Sequence, residues 1–213
     1  MDGRMMRHGA GRRFGRSVAA VLLTAGMIMP LAGCVPQGRA VGDTQDSADA
    51  VAHDGVDRHD LYVGVVGGSK PGDDDVNRRL VEAMDQGDLN PVFLASNGDA
   101  GGQQKAVADL LERNVKVIVI VADRATGWEE ALGEARQAGI PVVLADSTIT
   151  PDDQTLYAAR FHLLTDGLAG NASGNAADKA EGETYYIADA LANIVDDVPH
   201  GKVMNVRLVP QWS

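Results

Sequence analysis

The stretch KVIVIVADRATGWEEALGEARQAGIPVVLADS (116–147) contains two short apolar runs, 117–121 and 141–145, each closed by an aspartate, with an amphipathic segment between them. In WEEALGEARQA (128–138), Trp128, Ala131, Leu132, Ala135 and Ala138 fall on one helical face, and Gly139 supplies a C-terminal stop. Runs that are continuously apolar rather than alternating belong to strands covered on both faces. The unit therefore reads as β-α-β within a parallel sheet.

The same grammar extends outward. LYVGVV (61–66) and PVFLAS (91–96) are of strand length, and VKVIVIV (115–121) is almost wholly β-branched. VNRRLVEAM (76–84) sets Val76, Leu80, Ala83 and Met84 on one face, and QQKAVADLLERN (103–114) does the same with Ala106, Val107, Leu110 and Leu111. With IPVVLA (140–145) the order is β-α-β-α-β-α-β with short connections, which predicts a doubly wound α/β fold. Beyond it the pattern loosens. LYAARFHLL (156–164) is strand or helix, YYIADALANIV (185–195) is a helix and GKVMNVRLV (201–209) a strand. This tail is an incomplete second lobe or a helix and strand added to the first sheet.

The first 34 residues are read apart from the fold. Arg4, Arg7, Arg12, Arg13 and Arg16 precede an apolar stretch, 18–29, of signal-peptide length and short for a bilayer span. The stretch ends in Leu31-Ala32-Gly33-Cys34, which resembles a bacterial lipoprotein box and implies that Cys34 is lipidated and holds the protein to a membrane. Cys34 is the one cysteine of 213 residues, so neither a disulfide nor a cysteine-ligated metal site is available. Residues 35–60, rich in Gly, Ala, Asp and Ser, read as a flexible tether, followed by a first lobe at 61–149 and the tail at 150–213.

The chain has 19 Lys+Arg and 30 Asp+Glu, for a net charge of −11. Losing five arginines and Asp2 with the leader leaves 14 against 29, about −15. Such a surface gives no footprint for nucleic acid.

Ligands of an open parallel sheet bind beyond the carboxyl ends of its strands, where the winding reverses. The polar clusters GGSKPGDDD (67–75), SNGDAGG (96–102), ADRATGW (122–128) and ADST (145–148) all lie at such ends. No G-x-G-x-x-G, P-loop, nucleophile elbow or metal-ligand spacing occurs, so no catalytic group, cofactor or metal is expected.

NGDAGGQQKAVADLLERNVKVIVIVADRATGW and ALGEARQAGIPVVLADS, with the first strand and its polar loop, resemble the N-terminal lobe of the type 1 periplasmic substrate-binding proteins. These are the ribose- and galactofuranose-type sugar receptors of ABC importers. The resemblance implies two lobes closing on a sugar, an ABC permease as partner and no catalysis. It also implies first-lobe ligand contacts from Ser69, Lys70, Asp73 or Asp74, Asp99, Asp123, Arg124 and Asp146. Asp123 and Asp146, which end strands, lead that set. Simpler roles stand beside several of the others. Asp73, Asp74 and Asp75 suit a helix N-terminus, Asp99 a glycine turn, and Trp128 helix packing rather than a sugar platform. The chain departs from the family in having no aromatic residue in the first loop and Ser147 after Asp146. The second reading is a one-lobe remnant serving as a structural or interaction module at the cell surface.

Overall fold

The computed structural model describes residues 36–44, 55–68, 72–95, 100–121, 126–149, 151–164 and 183–208. Seven strands, β1 (Tyr62–Val66), β2 (Asn90–Leu94), β3 (Val117–Ile120), β4 (Val142–Ala145), β5 (Ala159–Leu164), β6 (Thr184–Tyr186) and β7 (Val203–Arg207), form one sheet. Its order is β2-β1-β3-β4-β5-β7-β6, and every pairing is parallel.

Four helices cover it: α1 (Asp73–Gln86), α2 (Ala100–Leu111), α3 (Glu129–Gln137) and α4 (Ile187–Val195). Strands β3 and β4 are buried along their whole length, and β1 beyond Tyr62, because their residues feed two separate cores. Val63, Val65, Val119, Val143 and Phe161 pack with Leu80 and Met84 of α1 and Leu191 and Ile194 of α4. Val66, Ile118, Ile120 and Leu144 pack on the other face with Val107 and Leu110 of α2 and Leu132 and Ala135 of α3. Alternate residues of β1, β3 and β4 thus go to opposite cores, as the two-residue side-chain period requires, while the buried apolar residues of β5 and β7 all join the first. The doubly wound reading holds. Burying a Leu or Phe in either core contributes about 1.5–3 kcal/mol.

The tail completes the first sheet. Arg160 to Leu164 of β5 register with Val203 to Arg207 of β7, and α4 lies on the same face as α1. The helix and strand at the end are therefore the added helix-strand of the two alternatives. The ambiguous segment at 156–164 is strand from Ala159, preceded by a single 3-10 turn at Gln154–Leu156. Tyr185 and Tyr186, expected in a helix, instead pair with Val206 and Arg207. An aromatic pair suits a strand, and an open β7 edge offers the hydrogen bonds.

Two further expectations meet the structure directly. Gly139 takes φ 72° and its amide donates to the Arg136 carbonyl at 3.0 Å, closing α3. Trp128 is 1% exposed in the core with Leu132 and Ile120, so it packs and offers no ring to a ligand. Within 35–60, residues 36–44 dock on the fold: Ala40, Asp43 and Thr44 are 2%, 3% and 3% exposed. Composition hid this because the docking is made mostly by backbone carbonyls and small polar side chains. Among the described residues no helix is long and apolar enough to cross a membrane.

Candidate functional site

The winding reverses between β1 and β3, because the chain passes from β1 outward to β2 and then returns to the far side of β1. The rim above this point is the crevice such sheets use for ligands. Two buried amides hold it together. Gln103, fully buried in α2, donates from Nε2 to the Gly67 carbonyl at 2.8 Å and to the Val121 carbonyl at 3.2 Å. One side chain thereby ties the segment after β1 to the segment after β3. Asn77 of α1 binds Gly68 twice, accepting its amide at Oδ1 (3.0 Å) and donating from Nδ2 to its carbonyl (2.9 Å). The loop after β1 thus leaves the sheet from a fixed point.

Asp73 opens α1 and faces that point. A β-carbon placed on Gly68 would lie 2.4 Å from Asp73 Oδ2, so the carboxylate rests against the glycine backbone. Asp73, Asp74 and Asp75 together occupy the first helical turn. Three carboxylates there already complement the helix dipole, so the end of α1 suits hydroxyl donors better than an anion. Asp75 is drawn away from the rim into ion pairs with Arg78 and Arg79. Its pKa is lowered, first by the hydrogen bond from Arg78.

Asp146 ends β4 in the left-handed region, φ 40°, a conformation that aspartate tolerates better than most residues. Its amide donates to the Phe161 carbonyl at 2.9 Å, and its Oδ1 accepts the Leu163 amide at 3.1 Å. The aspartate therefore locks the end of β4 to β5. His162 Nδ1 lies 4.0 Å from the same Oδ1, and the two side chains are 45% and 41% exposed. Crowding by the surrounding chain pushes the Asp146 carboxyl up from its ordinary value, against the Leu163 amide and the His162 ring. The remainder of the carboxyl stays open to solvent at the rim. Arg160 Nη2 steadies the following turn by donating to the Ser147 carbonyl at 3.2 Å.

The structure thus places Asp73 beside the end of β1 and Asp146 at the end of β4. These ends are separated by β3, two strand spacings or about 10 Å. Ser69, Lys70, Asp99, Asp123, Arg124 and Cys34 lie outside the described residues. Sequence reasoning missed the residues that frame the rim, Asn77, Gln103, Arg160 and His162. A polar residue on an otherwise apolar helix face, as Asn77 beside Leu80 and Met84, was the available signal. Among the described residues no group of three His, Cys, Asp or Glu could hold a metal ion.

Residues 68–163 match a family model described as a periplasmic binding protein domain, so the resemblance read from the sequence holds over this stretch. The chain is 44% identical over 64 residues to the galactofuranose-binding protein YtfQ of Escherichia coli, an alignment covering 27% of this chain and 20% of that protein. Among solved structures, it is similar to the periplasmic binding protein of the arabinose ABC transporter from Shewanella sp. ANA-3 bound to L-arabinofuranose. That pair shares 28% identity with TM-score 0.45, covering 47% of this chain and 34% of the other. A galactofuranose-binding protein gives 30% identity and TM-score 0.44, covering 47% of this chain and 35% of the other. The match therefore spans about a fifth of the curated relative and about a third of the solved chains.

Proposed function

We propose that this protein is a solute-binding protein of an ABC importer that takes up a sugar at the carboxyl ends of its strands. In this reading it is held to the outer face of a membrane by a lipid on Cys34. The observation that carries the reading is the family match from Gly68, just after β1, to Leu163 in β5, which takes in the segments after β1, β2, β3 and β4. Ser69, Lys70, Asp73, Asp99, Asp123, Arg124 and Asp146 are the ligand-contacting set. Carboxylates accept sugar hydroxyls, while Arg and Lys donate to ring and hydroxyl oxygens. Binding is the whole of the mechanism, and a permease is the downstream partner.

The test is thermal unfolding of the full chain alone and with millimolar furanose and pyranose sugars. A ligand that binds only the native state at a hundred times its Kd adds about 2.7 kcal/mol and raises the midpoint. One sugar moving the midpoint, and failing to move it in Asp146→Ala, is the expected result. A cooperative melt that no sugar shifts would sink the reading.

A second reading, a one-lobe interaction module at the cell surface, is favoured by one observation. All seven strands of the described residues lie in a single sheet, so no second lobe stands across from the rim among them. A sugar-insensitive cooperative melt would select this reading.

A further inference from the structure

The residues just after Cys34 are fastened to the edge of the sheet opposite the rim. The Gly42 carbonyl lies 2.7 Å from His200 Nε2, and the Gly201 carbonyl lies 3.0 Å from Nδ1 of the same ring. Thr44 Oγ1 donates to the Val198 carbonyl at 3.1 Å and accepts the His200 amide at 3.0 Å. Lys202 Nζ, reaching out just before β7, pairs with Asp43 Oδ2 at 2.5 Å and donates to the carbonyls of Tyr157 (2.6 Å) and Gln154 (3.0 Å). Arg136, in the last turn of α3, donates to the Pro36 carbonyl at 2.8 Å and to the Arg39 carbonyl at 3.3 Å. Gly42 itself sits against Pro141 and Ile194, where a β-carbon would meet atoms at 2.9–3.0 Å.

These partners share one location. Pro141 leads into β4, Tyr157 into β5, and Val198, His200 and Lys202 into β7; Arg136 and Ile194 lie in the last turns of α3 and α4. In a parallel sheet with antiparallel crossover helices, all of them are on the amino edge. The rim with Asp73 and Asp146 is on the carboxyl edge, a strand of about five residues or about 17 Å away.

We infer that residues 36–44 are a clasp that turns the amino edge of the sheet toward the membrane and the rim away from it. The inference rests on the Cys34 anchor proposed above. From Cys34 to Pro36 is two residues, a reach of at most about 7 Å. The lipid attachment is therefore held within that reach of the amino edge. A free coil over 35–60 would instead have an end-to-end distance of roughly 28 Å and would leave the orientation open. With the clasp closed, the rim samples solute on the side away from the bilayer.

The single native cysteine makes the test direct, because a lipidated Cys34 leaves any introduced thiol as the one reactive label site. The full chain with its own leader is produced in a bacterial host carrying Lys116→Cys, exposed just before β3, or Ala95→Cys, exposed just after β2. Each thiol carries a fluorescent donor, and membranes carry an acceptor on lipid headgroups. Energy transfer is expected to be several-fold stronger from position 116 than from position 95. A twenty-residue Gly-Ser insertion after Val35, which leaves the clasp and the fold intact, is expected to bring the two signals together. Equal transfer from both positions in lipidated protein, or an asymmetry unchanged by the insertion, would overturn the clasp and leave the anchor standing. Protein that stays soluble, and behaves like its Cys34→Ser variant, would remove the anchor and the clasp with it.

Discussion

Gln103 Nε2 donates to the Gly67 carbonyl at 2.8 Å, joining α2 to the chain just beyond β1. The same nitrogen reaches the Val121 carbonyl at 3.2 Å, so the switch point of the sheet is held by a side chain with no exposure. Replacing it with leucine keeps the volume but removes both donors. Gln103→Leu is expected to cost about 1–3 kcal/mol, read as a lowered urea midpoint with an unchanged slope. Gln103→Glu sets a carboxylate against two carbonyls, so its deficit should be larger at neutral pH than in acid, where the protonated group can donate.

Asp146 has a folded-state pKa above its ordinary value, burial being the leading cause. A raised carboxylate pKa means that the native state holds the proton longer than the unfolded chain. The group therefore favours folding below the unfolded pKa and loses that contribution as pH rises through the folded one. Asp146→Asn keeps the left-handed backbone and an acceptor for the Leu163 amide but removes the titration. Its stability relative to the parent should improve from acid toward neutral pH. The gain should stay under about 1 kcal/mol, since 45% of the side chain remains exposed. Urea midpoints between pH 3 and pH 7 decide it, and a parallel pair of curves would refute it.

Much of this was legible from the sequence because the apolar runs and helical faces are uninterrupted. Val117 to Ile120 and Val142 to Ala145 could only be buried strands, and the face of Leu80, Ala83 and Met84 could only be a core-facing helix stripe. What was not legible depends on long-range pairing. Tyr185 and Tyr186 have helix-compatible spacing but join β7, and His200 meets Gly42 across 158 positions. The position of Asp146 could be read from the end of its strand. The amides that brace the rim could not, because a buried Gln or Asn is written the same way as an exposed one.

Two ion pairs should respond very differently to deletion. Lys202 and Asp43 have side chains 17% and 1% exposed, whereas Arg58 and Asp189 are 40% and 30% exposed. Lys202→Met leaves the Asp43 carboxylate buried without its partner cation and also removes donors to the Gln154 and Tyr157 carbonyls. A loss of about 3–5 kcal/mol is expected. Arg58→Met removes a largely solvated pair and should cost no more than about 1 kcal/mol. Chemical denaturation of the two variants side by side tests the contrast, and similar losses would contradict it.

Gly38 and Gly42 offer a matched test of how tightly the segment 36–44 is seated. Both occupy the left-handed region, at φ 75° and 73°. A methyl group at Gly38 would meet nothing within 4 Å, while at Gly42 it would press on Ile194 and Pro141 at 2.9–3.0 Å. Gly38→Ala should therefore show only the backbone penalty of a β-carbon at positive φ, about 1–2 kcal/mol. Gly42→Ala carries the same penalty plus overpacking of about 1–3 kcal/mol. It also displaces the carbonyl that His200 holds at 2.7 Å. Because the strain is local, the segment can lift before the sheet unfolds. Limited proteolysis after Arg39 should then cut Gly42→Ala faster than Gly38→Ala under native conditions. If the two variants are cut at the same rate and melt together, the contact of Gly42 with Pro141 and Ile194 contributes nothing to holding the segment in place.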